Sequence, residues 1–180
     1  QKAAENNFNR RAGLLFVGGN HSPNIDAVRW FADSVFPLIK NELPYVKLYV
    51  AGNLPAFLKD EIKNRDIIFT GTIADEELNR LYRDAKLAVV PVRFGAGVKG
   101  KTIEAMHYNL PIVATSFALE GLPDIEKIIR PKDTAAEFAD EVLRLYNDDK
   151  ALFDISRKAG EYAGENFSRE KAVSSIRNLL

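Results

Sequence analysis

Between Arg93 and Met106 the chain reads Arg93-Phe94-Gly95-Ala96-Gly97-Val98-Lys99-Gly100-Lys101-Thr102-Ile103-Glu104-Ala105-Met106. Three glycines, two lysines and a glutamate fall within ten residues of one another. Glycines let a backbone come close to a ligand. Lysines bring positive charge, and a carboxylate accepts hydrogen bonds from hydroxyl groups. This set of residues fits a ligand that is both phosphorylated and rich in hydroxyls, such as a nucleotide or a nucleotide-sugar.

Such residues act together only if the fold gathers them. The apolar run Leu87-Ala88-Val89-Val90-Pro91 reads as a buried strand, and Lys99 to His107 reads as a helix. The glycine loop therefore joins the carboxyl end of a strand to the start of a helix. Open α/β sheets bind ligands at that place, and the free N–H groups of a helix start attract anions. The same arrangement recurs along the chain. Leu14 to Gly19, Val46 to Gly52 and Ile67 to Gly71 each read as a strand ending in glycine. Ser22 is expected to cap a helix with Pro23 at its first position. Ile25, Val28, Phe31, Ala32, Val35, Leu38 and Ile39 then follow at helical spacing, and Pro37 should kink or shorten that helix. Leu54 to Lys63 reads as a short helix. Asp75 to Asp84 reads as another, with acids in its first turn as the helix dipole prefers. Leu110 to Thr115 is expected as a fifth strand and Glu126 to Ile129 as a sixth. Three helices close the chain, at Asp133–Asn147, Asp149–Ala163 and Arg169–Leu180.

Most of these strands are apolar throughout rather than alternating, as strands covered on both faces are. Strands and helices also alternate in order. The expected fold is α/β: a Rossmann-like, doubly wound parallel sheet of about six strands with helices on both faces. Residues 1–12 read as the remnant of a linker and residues 13–180 as one domain. The polar amino terminus is not a signal peptide.

Composition narrows the function. Of 180 residues, 46% are hydrophobic, and 25 basic side chains balance 25 acidic ones. A neutral chain has no global field for nucleic acid or anionic membrane. There is no cysteine, so disulfides and thiolate metal sites are excluded, and a reducing, cytoplasmic compartment is expected. No apolar run approaches the ~20 residues of a membrane helix. The two histidines, His21 and His107, have no spaced carboxylate partners, so no metal is expected. His21 lies in the first glycine turn and is a candidate ligand contact. His107, near a helix end, reads as structural, and Trp30 reads as core.

Two familiar phosphate motifs fare poorly. The first turn, Gly18-Gly19-Asn20-His21, is not a GxGxxG, and the second strand ends Val50-Ala51-Gly52-Asn53 without the ribose-binding acid of an NAD site. Gly95 with Gly100-Lys101-Thr102 matches the Walker pattern literally. It follows the fourth strand rather than the first, however, and no strand ends in a metal-binding aspartate. Glu104 sits among Ile103, Ala105 and Met106, which predicts at least half-burial and a need for partners. Glu120, before Gly121, reads equally as a loop acid or a site residue.

Taken in order, several segments resemble one family. They are Phe16-Val17-Gly18-Gly19 with Pro23-Asn24-Ile25-Asp26-Ala27, Leu48-Tyr49-Val50-Ala51-Gly52, Ile68-Phe69-Thr70-Gly71-Thr72, Leu81-Tyr82-Arg83-Asp84-Ala85 before Val89-Val90-Pro91, and Gly97 to Met106 with Leu110 to Thr115. From about Leu14 onward the chain resembles the carboxy-terminal, donor-binding domain of GT-B-fold, group 1 retaining glycosyltransferases. The resemblance implies a nucleoside-diphosphate sugar, UDP- or GDP-linked, as partner. It also implies a second, amino-terminal acceptor domain that this chain lacks, and no metal or other cofactor. Glu104 matches the second glutamate of the family's E-x7-E motif, which holds the ribose, and Ala96 stands where the first, sugar-facing glutamate would be. Lys99 or Lys101, with the backbone from Gly97 through Val98 to Lys101 and Thr102, would hold the diphosphate. Gly18, Gly19 and His21 would lie near the diphosphate, and Thr70 and Gly71 near the base. The expected role is donor binding in glycan or polysaccharide synthesis, with the isolated domain binding nucleotide but transferring little sugar. A sugar-nucleotide epimerase of the same architecture and a non-catalytic partner subunit are the competing readings.

Overall fold

The computed structural model describes residues 8–167. Five parallel strands form one sheet in the order β3-β2-β1-β4-β5. They are β1 Leu14–Val17, β2 Leu48–Ala51, β3 Ile67–Gly71, β4 Leu87–Val90 and β5 Ile112–Ala114. Leu14 pairs with Leu48 on one side and Leu87 on the other, which sets the register at the centre of the sheet. Every residue of β4 and β5 is buried, as a strand covered on both faces requires. The chain winds from β1 outward to β3, then returns to lay β4 against the other side of β1. The winding therefore reverses between β1 and β4, and the carboxyl ends of these two strands open the crevice where such sheets bind ligands.

Eight α-helices occur among the described residues: α1 Ser22–Trp30, α2 Phe36–Glu42, α3 Ala56–Glu61, α4 Asp75–Asp84, α5 Gly100–His107, α6 Ser116–Leu119, α7 Ala135–Tyr146 and α8 Asp149–Asn166. The expected single helix after β1 is interrupted. A π-helical turn, Phe31–Val35, separates α1 from α2, and Pro37 sits in the first turn of α2. Proline has no N–H for the carbonyl four residues back, so the ladder must loosen near it. Phe31 and Phe36 stay buried on either side, and Phe31 and Trp30 both meet Phe138 of α7 edge-on with ring centroids 5.8 Å apart. Fully burying one such ring contributes about 1.5–3 kcal/mol. Trp30 is thus a packing residue, as its spacing indicates.

Other boundaries also move. His21, not Ser22, occupies the N-cap of α1, and no side chain caps that end. The helix expected from Leu54 is confined to Ala56–Glu61. The expected sixth strand is absent: Ile125–Lys127 forms a 3-10 turn instead. Asp124 takes a left-handed φ of 58° there, and the Ile129 N–H donates to the Ile125 carbonyl at 2.8 Å. Ile125 and Ile129 are buried together, so the apolar pattern that suggests a strand is a helical one. The last expected helix, Arg169 to Leu180, lies outside the described residues.

Candidate functional site

The loop from Arg93 to Lys99 leaves β4 at the reversal point, and three anchors shape it. Arg93 donates two hydrogen bonds to Asp26 of α1, at 2.9 and 2.6 Å, and its guanidinium lies 5.3 Å from the centroid of the Trp30 ring. The bond to Asp26 raises the Arg93 pKa. Lys99, the N-cap of α5, folds back and donates to the carbonyls of Gly95 and Gly97 at 3.0 and 2.5 Å. Its Nζ also lies 3.5 Å from Glu120. Between these anchors Ala96, Gly97 and Val98 are exposed. A Cβ built on Gly97 or Gly100 would meet no heavy atom within 4 Å, so the backbone there is open to close approach.

Lys101 is placed differently. Its ammonium donates to Asn24 Oδ1 and lies 4.6 Å from the centroid of the Phe16 ring. Asn24 is itself buried, and its amide donates to the Gly19 carbonyl at 2.9 Å. Asn24 thus ties the β1–α1 turn to α5. Burial lowers the Lys101 pKa from 10.5 to about 8, and the charge of nearby Lys99 adds to the effect. An ammonium held by an amide and an aromatic face has its charge left uncompensated. That state is unfavourable away from water unless an anion arrives.

One turn along α5, Glu104 accepts a hydrogen bond from the Tyr82 hydroxyl of α4 at 3.0 Å. Tyr82 is buried and stacks on Tyr108 with centroids 4.6 Å apart. Burial and the charge of Glu104 push the Tyr82 pKa well above its ordinary value, so the phenol stays a donor. Glu104 is exposed, contrary to the expectation of burial. Its apolar neighbours Ala105 and Met106 face the core, whereas Glu104 lies on the other face of the helix, toward solvent and Tyr82.

The remaining candidates separate. Gly18 and Gly19 form the β1–α1 turn, with the Gly18 N–H donating to Ala51 at 2.9 Å. His21 is exposed at the start of α1. Val98 is exposed on the open loop. Thr102 turns inward: it is fully buried, and its hydroxyl donates to the Ala118 carbonyl of α6 at 3.2 Å. Its hydroxyl is therefore spent inside the fold, which removes the metal-binding side chain a Walker loop needs. Thr70 and Gly71 end β3, two strands from β1, and the Gly71 carbonyl accepts a 3.0 Å bond from the Gly52 N–H just past β2.

Sequence reasoning missed Asn24 and Tyr82 as site residues. A signal existed for each. Asn24 occupies the apolar stripe it shares with Ala27, Val28 and Phe31, where a buried amide must find partners. Tyr82 follows Leu78 by four residues on the inward face of α4. Among the described residues no group of three or more His, Cys, Asp or Glu could hold a metal ion. No helix among them is long and apolar enough to cross a membrane.

A family model described as Glycosyl transferases group 1 matches residues 11–148, well over half of the chain. The chain belongs to the group 1 glycosyltransferases. A curated relative from Klebsiella pneumoniae, an uncharacterized 44.6 kDa protein in the cps region, is 30% identical over 173 residues. The match takes in 91% of this chain but 44% of that protein, so this group 1 chain spans less than half of its relative. Among solved structures, TarM of S. aureus, crystallised as a mutant with fondaparinux, α-GlcNAc-glycerol and UDP, superposes with a TM-score of 0.76 at 20% identity. That match covers 94% of this chain and 35% of TarM. The carboxy-terminal domain of LpcC, a group 1 family protein of Francisella tularensis, superposes at 0.70 and 18% identity, covering 89% of this chain and 90% of that one. These likenesses establish the fold, that of one half of a GT-B glycosyltransferase.

Proposed function

We propose that this chain is the donor-binding half of a glycosyltransferase that takes a nucleoside-diphosphate sugar. The observation that carries the reading is Lys101: a half-buried ammonium with only neutral partners, at the start of a helix and beside open backbone. A diphosphate supplies the missing negative charge, and the N–H groups at the start of α5 add to its attraction. Glu104, oriented by Tyr82, accepts hydrogen bonds from the ribose hydroxyls. Ribose and diphosphate thus lie along one helix. In the transfer, the acceptor's oxygen bonds to the sugar's anomeric carbon, the bond from that carbon to the diphosphate oxygen breaks, and the electron pair of the broken bond leaves with the diphosphate. Preorganised positive groups stabilise that charge without solvent rearrangement. The acceptor, and the group that takes its proton, belong to the amino-terminal domain we infer for the whole protein. A role in glycan or polysaccharide synthesis accords with a relative named for a cps region. UDP bound to TarM supports a nucleotide ligand for a fold of this kind.

Calorimetry of the chain against UDP, GDP, ADP and their sugars tests this reading. At least one nucleoside diphosphate should bind, and Lys101→Ala should weaken it more than tenfold, with unfolding temperature reported alongside. Failure of every nucleoside diphosphate to bind sinks the proposal.

A further inference from the structure

Three carboxylates meet the loop between β4 and α5 or belong to the helix it enters, and two are engaged by the fold. Asp26 takes two bonds from Arg93. Glu104 is held by Tyr82 at 3.0 Å. Glu120 differs: its one ion pair is the 3.5 Å approach of Lys99, and its side chain is 51% exposed. A carboxylate has about four lone-pair positions to offer, so most of those on Glu120 remain for a ligand.

It is tied to the loop nonetheless. Lys99 bonds the carbonyls on either side of Ala96 and reaches Glu120 with the same ammonium. One ammonium thus links the carboxylate to the backbone that flanks Ala96, the loop position that carries only a methyl group. The turn behind it is fixed as well. Gly121 adopts a φ of 78°, and a Cβ there would come within 2.8 Å of Val98 Cγ2, so the turn packs directly on the open loop. The Thr102 hydroxyl secures the preceding helix, α6, through Ala118.

Resting on the donor-binding reading above, we propose that Glu120 determines sugar specificity: its carboxylate accepts hydrogen bonds from hydroxyls of the donor's glycosyl group, beside Ala96. Lys99 is then a positioning residue that aims Glu120, and Lys101 is the diphosphate ligand. The two lysines of the motif divide the work rather than sharing it.

The test compares two ligands on one chain. Affinities for UDP and GDP are measured beside those for UDP-glucose, UDP-N-acetylglucosamine and GDP-mannose, for the wild type, Glu120→Gln and Glu120→Gln with Ala96→Glu. For the preferred donor, Glu120→Gln should lose about tenfold in affinity, the effect of one charge-assisted bond. The nucleoside diphosphate itself should change by less than about twofold, since Glu120 does not touch it. Adding Ala96→Glu should restore part of the loss. Equal losses for donor and diphosphate, or no loss for either, overturn the proposal. A wild type that binds neither kind of ligand overturns the donor-binding reading first, and the two failures are told apart before any variant is made.

Discussion

The β1–α1 turn and the β4–α5 loop are both glycine-rich, lie on the same sheet edge and flank the same crevice, yet their glycines do opposite things. In the first, a Cβ built on Gly18 would meet Phe16 at 2.8 Å and Asn24 at 3.0 Å, and one on Gly19 would meet Asn53 at 2.9 Å. Behind them, a Cβ on Gly52 would drive into the Gly18 carbonyl oxygen. In the second, Gly97 and Gly100 face no heavy atom within 4 Å. The first turn spends its glycines on packing strands and helix together. The second packs Gly95 on Pro23, where a Cβ would come within 3.1 Å, and leaves Gly97 and Gly100 open. A glycine count cannot separate these uses, but the neighbours of the missing Cβ do.

Substitutions should break the contrast in a definite order. Gly52→Ala should cost the most, on the order of 3 kcal/mol, because it combines a φ of 118° with a clash against backbone. The unfolding midpoint should fall by roughly 10 °C; a change below about 2 °C shows that the two turns do not press on each other. Next, Glu104→Ala should cost about 1 kcal/mol of stability, because the buried Tyr82 hydroxyl loses its acceptor, and should weaken nucleoside-diphosphate binding more than tenfold, or by more than about 1.4 kcal/mol. Calorimetry and thermal unfolding of the same sample separate those outcomes.

The third effect is smaller and depends on pH. Lys101 is charged below about 8 in the folded chain and below its ordinary 10.5 when unfolded. Raising the pH through 8 discharges the folded form, so diphosphate affinity should fall several-fold between pH 7 and 9. Across the window from about 8 to 10.5 the unfolded chain binds the extra proton, so this lysine's contribution to stability becomes more favourable as pH rises. Affinity and stability should therefore move in opposite directions, and both trends should vanish in Lys101→Met. Last, Gly100→Ala should change stability by less than about 0.5 kcal/mol while weakening diphosphate binding. A stability loss as large as that of Gly52→Ala removes the distinction between packed and open glycines.

Much of this was legible in the residues. Apolar runs locate the five strands, three of them ending in glycine, because strands buried on both faces must be apolar throughout. The phosphate-and-hydroxyl reading of Gly95 to Glu104, on which the proposed function rests, comes from side-chain chemistry alone. The misread parts share a cause. Ile125, Ile128 and Ile129 form an apolar cluster too short for its period to show, and the left-handed Asp124 turns it into a 3-10 bend. Apolar neighbours in sequence predict a buried Glu104, but on a helix neighbours in sequence face different ways, and Glu104 is exposed. The division of labour between Lys99 and Lys101 depends on Asn24, Phe16 and Glu120. All three are distant in sequence, and no local pattern brings them in.

Helix α5 carries Lys101 and Glu104 three residues apart, on one face and about 4.5 Å apart along the axis at 1.5 Å per residue. On the reading proposed here, the helix is a ruler. It measures the span from diphosphate to ribose and fixes it more rigidly than any loop could. Side chains along its outer face are free to drift, but one inserted or deleted residue between those marks would swing Glu104 about 100° around the axis, away from Tyr82. Insertions and deletions should therefore collect in the surrounding loops and spare these four positions, and a ligand ending at a single phosphate would reach only one mark.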